Sequence, residues 1–230
     1  MTIAENIAQV RENIAAAARE AGRRPEDITL VGASKMNEAA ACREAVAAGI
    51  DALGENRVQE MLGKLRERAY DGAPLHFIGH LQRNKVKQVV GTVALIQSVG
   101  SLALLDEIEK AAAGKEIVQD ILLEVNVGEE AAKSGFPPAE AFAGAESVLS
   151  RSHVRLLGLM TIPPAGVTRE ENLRYFAQVR ALFVDINEKL YHNELQQLSM
   201  GMSGDYEDAI RSGATMVRVG TAIFGSRHYA

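Results

Sequence analysis

The sequence predicts an α/β protein, a (β/α)8 TIM barrel with a single domain over residues 1–230, and three observations carry that prediction. Short apolar runs of β type alternate with longer stretches of helical period along the chain. Eight such runs are present. The length of 230 residues, close to the ~250 of a typical barrel, leaves no room for a second domain of useful size. A doubly wound open sheet is the alternative, but it normally carries a glycine-rich phosphate turn after its first strand, which Gly32-Ala33-Ser34-Lys35 is not.

Ile3, Ile7, Val10 and Ile14 recur at helical spacing and the run closes at Gly22, so an extra N-terminal helix precedes the barrel. Strands are then read at 28–33, 51–54, 76–79, 94–99, 121–127, 154–160, 195–200 and 215–219. Helical stretches lie between them at 38–48, 57–69, 102–113, 138–149, 170–190 and 206–211, with glycine stops at Gly49, Gly114 and Gly213. Pro137-Pro138 and Pro163-Pro164 read as loop punctuation.

Composition narrows the function. A net charge of −5 and a pI near 5.6 argue against a nucleic-acid partner, because a phosphate backbone is met by a concentrated Lys/Arg surface. Cys42 is the only cysteine, which excludes an intramolecular disulfide and a thiolate metal cluster and leaves a small apolar filler on a helix. His76, His80, His153, His192 and His228 show no metal-ligand spacing, and Lys85, Lys87 and Lys133 read as solvated charges. The N-terminus places Glu5, Arg11 and Glu12 among its apolar positions, unlike a secretory signal, and no apolar run approaches the ~18 residues of a membrane span. A cytoplasmic protein without membrane contact is expected.

In a barrel of this kind the reactive groups sit at the C-terminal ends of the strands. Lys35 follows the first strand, where partial burial would lower its pKa and expose a neutral amine to an aldehyde, giving a Schiff base; taken alone it reads first as a solvated lysine, as most lysines are, and only its context favours the Schiff base. Gly201-Met202-Ser203-Gly204 leads into the helix at 206–211, and Ser203 there is either a phosphate contact or a plain cap. Gly220-Thr221, after the eighth strand, is a second pair of a small residue and a hydroxyl, and the loops after strands seven and eight are the usual barrel phosphate site. Arg218 lies inside an apolar strand, where its guanidinium needs a partner, either a carboxylate of the protein or a ligand.

Together the runs Val31-Gly32-Ala33-Ser34-Lys35, Gly54-Glu55-Asn56-Arg57-Val58-Gln59-Glu60, the segment from His76 to Lys85, Gly158-Leu159-Met160-Thr161, the segment from Ser199 to Ile210, and the final run from Arg218 to Gly225 resemble the pyridoxal 5′-phosphate (PLP) homeostasis protein family. That family is related to the alanine racemase N-terminal barrel, PLP fold type III. The resemblance implies that Lys35 forms the internal aldimine with PLP, that Ser203, Gly220 and Thr221 hold its phosphate, and that Arg218 faces the pyridine nitrogen. Asn56 would lie near the ring and His80 would line the pocket less closely. Two departures stand out: Met36 where a smaller or β-branched residue is expected, and Leu75 where the family often has tryptophan.

An arginine at the pyridine nitrogen disfavours its protonation and weakens the ring as an electron sink. Racemisation also needs acid–base groups on both faces of the substrate carbon, and the racemase tyrosine comes from a second domain that a chain ending at Ala230 is expected to lack. The resemblance therefore implies a non-catalytic, monomeric PLP carrier that passes the cofactor to apo-enzymes. A minimal racemase or decarboxylase using Asn56, His80 or a water as proton donor is the enzymatic alternative. A Schiff-base aldolase is a third reading, disfavoured because aldolases usually carry the lysine late in the barrel.

Overall fold

The computed structural model describes residues 1–225, so His228 lies outside the described residues. Eight strands, β1 (Thr29–Ala33), β2 (Ala52–Glu55), β3 (Leu75–Phe77), β4 (Leu95–Val99), β5 (Gln119–Val125), β6 (Val154–Thr161), β7 (Gln197–Ser199) and β8 (Met216–Val219), form a closed barrel in chain order. Among the described residues nine α-helices accompany them: α1 (Ile3–Glu20), α2 (Ala39–Ala47), α3 (Val58–Arg66), α4 (Val86–Val89), α5 (Leu102–Ala113), α6 (Pro138–Val148), α7 (Arg169–Leu190), α8 (Tyr206–Arg211) and α9 (Thr221–Phe224). The predicted barrel is therefore the observed one, and an open sheet is excluded. By its internal contacts the chain forms two compact units, Met1–His76 with the segment from Met200 onward, and Phe77–Ser199.

In the first unit β1 pairs in parallel with β2 and with β8, placing Val31 beside Ala52 on one side and beside Arg218 on the other. These strands are buried on both faces, which is why their apolar residues do not alternate with exposed polar ones; Glu55 in β2 and Arg218 in β8 are buried charges among them. Helix α1 starts in a capping box between Thr2 and Glu5 and packs Ile7, Val10, Ile14, Ala17 and Ala18 inward. Its polar side chains tie it to the end of the chain: Asn6 donates to Ile223 O at 2.8 Å and Asn13 to the Tyr206 hydroxyl at 2.9 Å.

In the second unit β4, β5, β6 and β7 run in parallel. Gly158 has φ 155°, and a Cβ there would stand 1.7 Å from Gln197 O on β7, so only glycine allows that approach. Gly114 ends α5 as its C-cap, as the sequence predicts, at φ −66°, and the left-handed residue after that helix is Glu116 at φ 55°. Helices α4 and α9 were not anticipated, because a single turn of four residues is too short to show a helical period.

Candidate functional site

All six residues singled out for the cofactor fall in the first unit, at or just beyond the C-terminal ends of β1, β2 and β8 and in the loop after β7. Strand pairing explains why. Ala33 lies beside Gly54, and Ser34 N donates to Gly54 O at 3.0 Å, so the segment carrying Lys35 leaves the barrel next to the segment carrying Asn56. On the other flank Gly32 pairs with Val219, and a Cβ on Gly220 would meet Ala33 O at 3.4 Å.

Half-buried Lys35 lines a cavity of ≈ 490 Å³ together with Ala33, Met36, Gly220, Thr221 and Phe224. That is the size of a small-molecule pocket, about 300–1,000 Å³. Ser203 comes to the same corner from the loop after β7: its Oγ accepts from Gly220 N at 3.1 Å and from Ala222 N at 3.3 Å. Ser203 thus joins the two hydroxyl-bearing loops and meets the backbone of the β8–α9 turn instead of capping α8. Gly201 makes that loop possible, since at φ 93° a Cβ would sit 2.6 Å from the Ala209 Cβ. Arg218 is buried in β8, and its N–H donates to Gly201 O at 3.0 Å.

Asn56 is partly buried and its Oδ1 is fully enclosed without a hydrogen-bond partner among the described residues. An enclosed carbonyl oxygen of this kind is costly unless a ligand donor meets it. His80 is exposed and belongs to the second unit. His76 is buried in β3, and burial pushes its imidazole down to about 4, so it is neutral at ordinary pH. Cys42 is buried in α2, and burial raises its thiol pKa, as suits an apolar filler. Among the described residues no cluster could hold a metal ion, and no helix is long and apolar enough to cross a membrane.

Sequence reasoning missed a buried polar network beneath Lys35. Glu55 Oε1 accepts from Ser34 Oγ at 2.6 Å, from Lys64 Nζ at 2.7 Å and from the Tyr70 hydroxyl at 3.1 Å. Lys64 also pairs with Glu60 at 2.7 Å. Glu60 and Lys64, four residues apart, have the spacing of an ordinary solvated helix pair, and nothing in the sequence marks it as turned inward. Met36 takes a left-handed backbone at φ 63°, which strains a β-branched side chain and accounts for an unbranched residue at this position.

Comparison with known proteins defines the class first. The family model described as alanine racemase, N-terminal domain, matches residues 6–228. An alanine racemase structure from Clostridium difficile superposes with a TM-score of 0.72 at 19% identity, covering 97% of this chain and 57% of that one, which is a likeness of fold. The particular relatives are closer. A pyridoxal phosphate homeostasis protein of Aquifex aeolicus is 44% identical over 229 residues, spanning 100% of both chains. The structure of PipY from Synechococcus elongatus with PLP bound superposes with a TM-score of 0.85 at 34% identity, covering 97% of this chain and 100% of that one. This chain belongs to the alanine racemase N-terminal domain family and, within it, to the pyridoxal phosphate homeostasis proteins.

Proposed function

We propose that the chain binds pyridoxal 5′-phosphate, holds it covalently on Lys35, and serves as a cytoplasmic, monomeric, non-catalytic carrier that buffers the cofactor for PLP-dependent apo-enzymes. The observation that carries this reading is the cavity lined by both Lys35 and the Gly220-Thr221 turn, whose Gly220 N–H donates to Ser203 Oγ. The cofactor in the Synechococcus relative and the name of the Aquifex relative support it.

When bound, PLP supplies an aldehyde carbon that condenses with one amine with loss of water, and a phosphate that needs several donors. Lys35 Nζ is the amine. Ser203, Gly220 and Thr221 would hold the phosphate, a reading supported by Ser203 Oγ lying within hydrogen-bond reach of the Gly220 and Ala222 N–H groups on the turn that carries Thr221. Asn56 Oδ1 accepts from a hydroxyl on the ring, which satisfies its enclosed oxygen.

Arg218 is a permanent cation, and facing the pyridine nitrogen it disfavours a proton there. That choice suits retention of the cofactor over carbanion chemistry. An absorbance titration with PLP is the test: a saturable visible band in the wild type that is absent from Lys35→Ala supports binding. A chiral assay then separates carrier from enzyme. Amino-acid racemisation that Lys35→Ala abolishes would overturn the carrier reading and assign a minimal racemase.

A further inference from the structure

The two peptide groups that flank Lys35 are both held by one ion pair on α3. Lys64 Nζ donates at 2.8 Å to Ser34 O, the carbonyl of the peptide bond entering Lys35. Glu60 Oε1 accepts from the N–H of Met36, in the peptide bond leaving it. Asn37 adds a third tie, its Nδ2 donating to Lys35 O at 3.1 Å.

The ammonium of Lys64 has three hydrogens, and three acceptors meet it: Ser34 O, Glu55 Oε1 and Glu60 Oε1. Burial by itself would lower the Lys64 pKa, but the hydrogen bonds and charges of Glu55 and Glu60 outweigh it and hold the group above the ordinary lysine value. Lys64 therefore remains an ammonium, with no lone pair to offer an aldehyde. The left-handed backbone of Met36 is unfavourable for a residue with a side chain and persists where its surroundings hold it.

We propose that Glu60 and Lys64 are positioning residues for Lys35, fixing the backbone on both sides of it so that its ε-amine is presented to the cavity shared with Gly220 and Thr221. The inference rests on reading Lys35 as the attachment point for PLP. An exposed pair at this spacing contributes little, and burying one is costly unless further hydrogen bonds compensate. Here those hydrogen bonds go to the peptide groups around Lys35.

The test compares two ligands in wild type, Glu60→Ala, Lys64→Met and Glu60→Gln: PLP, which attaches covalently, and pyridoxine 5′-phosphate, which keeps ring and phosphate but has an alcohol in place of the aldehyde. The expected result is covalent attachment slowed about tenfold or more in Glu60→Ala and Lys64→Met, with pyridoxine 5′-phosphate affinity changed less than about twofold. Glu60→Gln, whose amide oxygen still accepts from Met36 N–H, should recover most of the rate. Unchanged attachment rates in folded variants, or parallel loss of both ligands, overturn the proposal. Should Lys64→Met fail to fold, Glu60→Ala at its partly exposed position decides alone. A wild type that forms no covalent link at Lys35 refutes the cofactor reading instead.

Discussion

Ser203 Oγ lies 3.1 Å from the amide nitrogen of Gly220 and joins the loop after β7 to the turn after β8 through one oxygen. Ser203→Ala removes that acceptor and one phosphate donor together. We expect PLP affinity to fall about tenfold, roughly the worth of one hydrogen bond to a charged group, while the cofactor that does bind remains attached at Lys35. Equilibrium titration followed by peptide mapping checks both halves of the expectation.

Two glycines should respond oppositely to alanine. Gly158→Ala places a Cβ 1.7 Å from Gln197 O, so β6 and β7 must separate, and destabilisation of about 3 kcal/mol or more is expected. Gly63→Ala, inside α3 with nothing within 4 Å of the new Cβ, should stabilise by about 1 kcal/mol. Urea unfolding of the two variants beside the wild type measures each shift.

His76 predicts a specific acid sensitivity. Its folded pKa of about 4 lies below its ordinary value of 6.5 because burial excludes the charged ring. Above pH 6.5 both folded and unfolded chains carry it neutral and its contribution is fully present. As pH falls from 6.5 towards about 4 the unfolded chain gains a proton the folded chain refuses, and about 3 kcal/mol is lost across that window. In His76→Gln the stability curve should be flatter over the same interval, and an unchanged slope would show that other groups set it.

Much of the molecule was legible in the sequence for a physical reason: strands buried on both faces are mostly apolar, so β1, β2, β5 and β8 announce themselves despite Glu55, Glu124 and Arg218 within them, and the residues after each run fall at the barrel's reactive end. Lys35, Ser203 and Gly220 were singled out that way, and Arg218 as a charge within the apolar run of β8. Lys64 was not, because it shares the buried face of α3 with Val58 and Met61 while its type and spacing to Glu60 are those of a surface pair. Nor was the left-handed turn at Met36, since methionine carries no sequence preference for it. Strands β3 and β7 proved shorter than their apolar runs, three residues each, because apolar character continues into loops that pack on the core.

The most direct test of the account is borohydride reduction of the protein mixed with PLP, followed by peptide mass mapping, in the wild type and in Lys35→Ala. The account predicts one reduced adduct on the Lys35 peptide, none in the variant, and none on Lys64 in either, since its three ammonium hydrogens are already engaged. Adducts spread over surface lysines and unchanged by Lys35→Ala would contradict it, and would bring the barrel-lysine aldolase reading forward in its place.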